Sequence, residues 1–347
     1  MPEKRIVCGM YAAYIGRIMK PTSLFLAATF AASAHAAPVY GPELQGFEYP
    51  HPQQHFQFSS QGQQLQMAYM DVAPTGAANG RTVVLMHGKN FCGATWDANI
   101  TALSAAGYRV VAPDQIGFCA STKPAHYQYS FQQLAANTAA LLKHLGVTQS
   151  DVVGHSTGGM LAARYALMYP DAVRHLVLVN PIGLEDWKAK GVPSRTVDQW
   201  NERELKLSAD SVRAYEKATY YVGRWKPEYE RWVEMLAGLN AGPGHVQVAW
   251  NSALIYDMIF TQPVVYELPL LKMPTTLMIG TADTTAIGSD IAPPEVKARI
   301  GHYDQLGKEQ VKRIPQGRLV EFEGLGHAPQ MEQPEAFNRA LIAELAK

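Results

Sequence analysis

Six short apolar runs constrain this chain more than any other feature: TVVLMHG (82–88), YRVVAPD (108–114), DVVGH (151–155), HLVLVN (175–180), TTLMIG (275–280) and RLVEFEG (318–324). Each is too short and too rich in β-branched residues to be a buried helix, and helical periodicity fills most of the intervals between them. In SFQQLAANTAALLKHLG, Ser130 and Gln133 form a capping-box pattern, Leu134, Leu141 and Leu142 recur at helical spacing, and Gly146 stops the helix. Residues 157–169 and 332–346 read as further helices, the last opening with Glu332 and Glu335 near its positive end. Strand–helix alternation of this kind predicts an α/β fold, a mostly parallel sheet covered by helices on both faces.

Two stretches depart from the alternation. Residues 55–73 alternate in places and break at Gln61-Gly62, as a hairpin does. Between about 185 and 270 there is no strong strand run, only helix formers and many Trp and Tyr residues, which predicts a helical insertion lying over the strand ends. Ahead of both, Arg17 and Lys20 precede the apolar SLFLAATFAASA, and Ala34-His35-Ala36 supplies the small residues a signal peptidase requires. The apolar stretch is shorter than the roughly 20 residues that span a bilayer. The expected organisation is therefore a signal peptide over 1–36, with Met10 and Met19 as alternative starts. A core built from 37–184 and 270–347 follows, with a cap insertion over 185–269. Such a leader implies a periplasmic or secreted protein, with no stable membrane insertion once it is removed.

Lys plus Arg (30) balances Asp plus Glu (30), and no basic run stands out, which excludes the electrostatic footprint of a nucleic-acid binder. A small-molecule substrate is the better match. No pattern for a metal, nucleotide or organic cofactor is present in the sequence.

Chemistry concentrates in VVGHSTGGM (152–160). Gly154-His155-Ser156-Thr157-Gly158 satisfies G-x-S-x-G between a strand and a helix, the setting of a nucleophile elbow. The turn is so tight that side chains at 154 and 158 would collide, and the serine hydroxyl is pushed out at the carboxyl end of the sheet, where ligands bind in such folds. A serine hydroxyl is a poor nucleophile until a base takes its proton, and that base needs an acid to orient it. His327, just after RLVEFEG, is the candidate base. Asp283, just beyond TTLMIG, is the candidate acid; Asp290 is its nearest rival, and Glu185 or Asp186 after the preceding strand is the other solution. An oxyanion needs two donors. The backbone N–H of Thr157 is one, and the loop HGKNFCGATW supplies the other, assigned to Lys89 with Asn90 as the lesser candidate. His87 is expected to shape that loop without transferring protons.

With His87-Gly88, Asp114 and Gly117-Phe118 in APDQIGFCAST, the elbow at Ser156, Asp283 and Gly326-His327, the chain resembles the α/β-hydrolase superfamily, most closely its capped bacterial serine hydrolases. The resemblance implies an eight-stranded sheet, a helical cap and a covalent acyl-enzyme route. Serine at the nucleophile position, rather than aspartate, argues against the related epoxide hydrolases and haloalkane dehalogenases. Asp114 is expected to fix its loop. Cys119 stands where relatives often have glycine, and Cys92 lies in the oxyanion loop. These loops follow adjacent strands in the superfamily's order, leaving a Cys92–Cys119 disulfide and two unrelated buried thiols as open alternatives. The leading expectation is a serine hydrolase cleaving an ester or related acyl bond whose acyl or alcohol part is apolar. Amidase, peptidase, lactonase or C–C hydrolase chemistry, and a ligand-binding role without turnover, are the alternatives the same residues allow.

Overall fold

A computed structural model describes residues 38–347. The expected leader, with Cys8, lies outside the described residues. The first pair of strands, β1 (Gln53–Ser60) and β2 (Gln63–Val72), is an antiparallel hairpin. Its two-residue turn is Gln61-Gly62, both at positive φ (49° and 73°), the backbone that matches the twist of paired strands. The remaining strands are β3 (Thr82–Met86), β4 (Arg109–Pro113), β5 (Ser150–His155), β6 (Val173–Val179), β7 (Thr275–Gly280) and β8 (Gly317–Phe322). Together they make one eight-stranded sheet in the order β1-β2-β4-β3-β5-β6-β7-β8, parallel from β4 to β8 and antiparallel where β2 meets β1 and β4.

Helices α1 (Asp97–Ala105), α2 (Phe131–His144) and α3 (Thr157–Met168) follow β3, β4 and β5. Between β6 and β7 the chain makes four helices, α4 (Val197–Glu204), α5 (Ala209–Thr219), α6 (Glu230–Ala241) and α7 (His245–Thr261), the inserted helical cap. Short α8 (Pro294–Lys297) and then α9 (Tyr303–Val311) lead to β8, and α10 (Pro329–Glu332) and α11 (Pro334–Leu345) close the chain.

The two faces of the sheet are written in the strands' period-two pattern. Val84, Met86, Val152, Leu176, Leu178, Leu277 and Ile279 pack on one side, with Leu134 and Leu141 of α2, Leu161 of α3 and Leu306 of α9. Their chain neighbours Val83, Leu85, Val153, Val177, Val179 and Met278 pack on the other, with Ile100 and Leu103 of α1 and Phe337, Leu341 and Leu345 of α11. Both faces are apolar because both are covered.

Two helix ends differ from expectation. Ser130 Oγ accepts from the Gln133 N–H at 3.0 Å, but the Gln133 side chain turns forward to Asn137 instead of back to the cap, so only half of the box forms. The last helix is interrupted at Gln333, because Pro334 has no N–H to continue α10. Glu335 thus sits in the first turn of α11, whereas Glu332 ends α10 and binds the Gly326 N–H and Arg224.

Glycine spacing around β5 is enforced by backbone rather than by a mutual clash. A Cβ at Gly154 would lie 2.2 Å from the Gly158 carbonyl oxygen, and one at Gly158 would lie 2.2 Å from the Met86 carbonyl oxygen. Neither obstacle can rotate away. Gly154→Ala is therefore expected to cost about 3 kcal/mol or more, at the upper end of overpacking penalties, read as a lower urea midpoint.

In α5, Glu216 is fully buried and, among the described residues, neither carboxylate oxygen has a hydrogen-bond partner. Burial first, and the Glu230 charge second, push its carboxyl up to about 8 from the ordinary 4.5. The unfolded chain loses this proton near 4.5 and the folded chain holds it to about 8, so folded stability falls as pH rises through that window. Glu216→Gln should remove the fall: above pH of about 8 it is expected to gain about 2–4 kcal/mol over the parent, and little below 4.5, by chemical denaturation across pH.

Candidate active site

Strand order reverses about β3: β4 lies on one side of it and β5 on the other. A crevice opens at the carboxyl ends of strands at such a reversal. The turns leaving β3 and β5 therefore meet there, and these turns carry Lys89 and Ser156. Ser156 has φ 57° and ψ −120°, a left-handed conformation that costs a non-glycine residue of order 1–3 kcal/mol and is kept only where the surroundings over-determine it. Gly88 is needed opposite, since a Cβ there would sit 3.0 Å from the Ser156 Cβ.

Three residues far apart in sequence converge on this turn. His327 Nε2 lies 2.8 Å from Ser156 Oγ, and His327 Nδ1 lies 2.6 Å from Asp283 Oδ2. All three are buried. With Nδ1–H donating to the carboxylate, Nε2 is left to accept the serine proton. Asp283 also accepts from Asn180 Nδ2 (2.8 Å) and from the Thr285 N–H (2.8 Å), which holds its carboxylate in place. The rival acids are occupied elsewhere. Asp290 forks onto Arg195, Glu185 binds Lys190 and the Gly301 N–H, and Asp186 caps the Lys188 N–H and accepts from Tyr266.

Lys89, Asn90 and Thr157 line the same small cavity as Ser156 and His327, about 20 Å³ in volume. Among the described residues their three N–H groups have no hydrogen-bond acceptor. Thr157 opens α3, so its N–H adds the positive end of a helix to the space beside Ser156. Two hydroxyls in this wall, Thr157 Oγ1 and Thr285 Oγ1, are likewise buried without partners among the described residues. The cavity is of roughly one water's size, and its wall sets these polar groups against Ile182, Ile259 and Ile287.

Loops around the site are locked by residues that do not reach it. His87 Nδ1–H donates to Gly88 O (2.8 Å) and Nε2 accepts from the Gln115 N–H (3.1 Å); burial lowers its pKa, keeping the ring neutral. Asp114 receives the Gly93 N–H, the Ala120 N–H and the Tyr49 hydroxyl, tying the loop after β3 to the loop after β4. Cys119 adopts φ 42°, which accounts for glycine at such a position. Of the two alternatives for the cysteines, the structure has free thiols: Cys92 points to Met235 Sδ and Cys119 to the Phe91 carbonyl, each at 3.3 Å.

Several participants were not legible beforehand. His155 Nε2–H donates to the His327 carbonyl at 2.7 Å and holds the histidine loop from below; burial pushes its own pKa well below the ordinary value. Tyr220 lies over His327 with ring centroids 5.0 Å apart and receives Asn90 Nδ2 at 2.9 Å. Lys89 reaches Glu204 at 2.8 Å and sits over the Tyr256 ring at 3.8 Å, linking the loop after β3 to two cap helices. Asn180, read only as the end of its strand, had one usable signal: it follows β6, the neighbour of the strand that carries Asp283.

The order of the sheet, the elbow and the cap together define a hydrolase of the α/β type. A family model described as the alpha/beta hydrolase family matches residues 83–340, and the chain belongs to that family. A probable hydrolytic enzyme from Pseudomonas aeruginosa PAO1, known from its crystal structure, is 64% identical, with a TM-score of 0.88 over 89% of this chain and 99% of that one. Lipase 1 of Psychrobacter immobilis is 27% identical over 270 residues, 76% of each chain. A 2-hydroxymuconate semialdehyde hydrolase of Pseudomonas putida is 42% identical over 76 residues, 22% of this chain and 27% of that one. Among the described residues no helix is long and apolar enough to cross a membrane.

Asn180 Oδ1 also accepts the Gly280 N–H at 2.8 Å. Asn180→Ala would take one partner from the buried Asp283 carboxylate, which keeps Thr285 and His327, and the Asn180 acceptor from the buried Gly280 N–H. The expected loss is about 1–3 kcal/mol of stability, measured by urea denaturation, while Asn180→Asp should cost more by placing a second acid against Asp283.

Proposed function

We propose that the chain is a serine hydrolase that cleaves a carboxylic ester or related acyl bond through an acyl-enzyme intermediate. The observation that supports this most is the unbroken hydrogen-bond chain from Ser156 through His327 to Asp283. As Ser156 Oγ attacks the acyl carbon, its proton passes to His327 Nε2, and Asp283 stabilises the imidazolium without taking the proton. The N–H groups of Thr157 and Lys89 receive the oxyanion. His327 then protonates the departing alcohol, takes a proton from water as the water attacks the acyl carbon, and returns that proton to Ser156 as the acid leaves.

In this reading the segment 185–269 acts as the cap that shelters the acyl-enzyme, and residues 1–36 direct the protein to the periplasm or the exterior. The named relatives span more than one kind of bond, so the ester assignment rests on the site and is to be tested directly.

A fluorophosphonate probe should label the wild type but not Ser156→Ala. On a panel of para-nitrophenyl esters graded in acyl length, Asp283→Asn should lower kcat about 10³- to 10⁴-fold, because the amide favours the wrong imidazole tautomer. Absence of labelling in the wild type would favour a ligand-binding protein.

A further inference from the structure

A second cavity of about 250 Å³ adjoins the site and shares four of its walls: Lys89, Asn90, Tyr215 and Tyr256. Its outer wall is basic. Arg203 and Lys206 line it alongside Lys89, against a single acid, Glu204. That acid is committed, since its Oε2 accepts both Lys89 Nζ at 2.8 Å and Ser252 Oγ at 2.5 Å. The next carboxylate, Asp290, is held by the two terminal guanidinium nitrogens of Arg195. Arg203 is thus a half-buried cation with no ion-pair partner among the described residues.

Its position is nevertheless built. The guanidinium lies 5.6 Å from the Trp200 ring centroid and 5.2 Å from that of Tyr256, and those two rings stack on each other at 4.6 Å. The guanidinium therefore sits beside this stack, whose rings also carry Arg195 (4.7 Å from the Trp200 centroid) and Lys89 (3.8 Å from the Tyr256 centroid), with the Tyr256 hydroxyl as its neighbour. The rings bound it on one side, and its remaining N–H groups suit an acceptor such as a carboxylate, which arginine takes in two parallel hydrogen bonds. Leu207, Val212 and Leu236 supply apolar wall to the same cavity.

We propose that this cavity selects substrates that carry a carboxylate at the end of an apolar spacer, with Arg203 binding the carboxylate while the scissile bond sits at Ser156. The proposal rests on the serine-hydrolase reading above. It makes the substrate a half-ester, or a related acyl compound, with one anionic end, and it makes Arg203 a specificity residue that takes no part in bond cleavage.

Two matched pairs of esters test it. One pair places the charge on the acyl side (mono-para-nitrophenyl adipate against para-nitrophenyl hexanoate), the other on the alcohol side (the acetate of para-hydroxymethyl benzoic acid against benzyl acetate). In the wild type, at least one pair should show a higher kcat/KM for its anionic member. That preference ratio should fall at least tenfold in Arg203→Gln, invert in Arg203→Glu and be partly kept in Arg203→Lys. A variant that merely folds badly lowers both members of a pair and leaves the ratio standing, so ratios unchanged in Arg203→Gln overturn the proposal. If no ester is turned over and the fluorophosphonate labels nothing, the serine-hydrolase reading has failed. Calorimetric titration with adipate then decides the anion site alone: binding to Ser156→Ala weakened at least tenfold by adding Arg203→Gln supports it, and no binding, or equal binding, overturns it.

Discussion

The close approach of the end of β5 to the first turn of α3 is the contact on which the site depends. Gly154 and Gly158 let the strand, the helix and the carbonyls of Met86 and His87 meet at distances that no side chain could occupy. Ser156 is held in the left-handed region by that packing. Because the strain is carried by backbone contacts on both sides, the hydroxyl is aimed before any ligand arrives, and the Thr157 N–H is left free beside it. Similar economy governs the other side of the site. A Cβ at Gly280 would meet the Gly326 carbonyl at 2.2 Å, and one at Gly326 would meet the Tyr220 carbonyl at 2.4 Å, so the acid strand, the histidine loop and the cap also touch backbone to backbone.

Legibility followed the range of the physics involved. All six apolar runs became strands: the inner ones because a doubly covered parallel strand needs apolar side chains along its length and advertises this locally, and β8, at the sheet edge with Arg318 and Glu321 exposed, on a weaker pattern. The strand ends then offered Ser156, Asp283 and His327 on one rim, with Asp290, Glu185 and Asp186 left open as rivals of Asp283. Interactions that depend on a partner distant in sequence were less readable. Gln133 favoured Asn137 over its own cap, Pro334 divided what looked like one helix, and Glu332 left the helix terminus for the Gly326 N–H. The aromatic residues of the insertion were visible as composition, but which of them face His327 was not. Tyr220 is distinguished from Tyr221, its neighbour in sequence, only by the turn that ends α5: the Tyr220 ring packs on His327, whereas Tyr221 stacks on Tyr229 within the cap.

The cap is joined to the site through the same residues that would receive the oxyanion. Lys89 is anchored to Glu204 of α4 and lies over Tyr256 of α7; Asn90 is anchored to Tyr220; and the His327 N–H reaches the Thr219 carbonyl at the end of α5. Burial lowers the Lys89 pKa while Glu204 opposes that shift, so the pair is held in a setting of low polarity where a lost partner is costly. The ion pair thus ties α4 to the loop after β3.

Asp114 shows why the loops around the site need no covalent brace. Its carboxylate gathers two backbone N–H groups from the loops after β3 and β4 and a hydroxyl from Tyr49. Lys123, from the same region, donates to the Cys119 and Ser121 carbonyls, and its burial lowers its pKa to about 8. Those two carbonyls are orphaned by the turn that gives Cys119 its positive φ. A buried ammonium is an expensive way to satisfy them, yet it fixes the turn without occupying the space between the two thiols. A charged, hydrogen-bonded knot thus does here what a disulfide does in small disulfide-rich domains, and it leaves Cys92 and Cys119 packed as small apolar side chains against Met235 and Phe91.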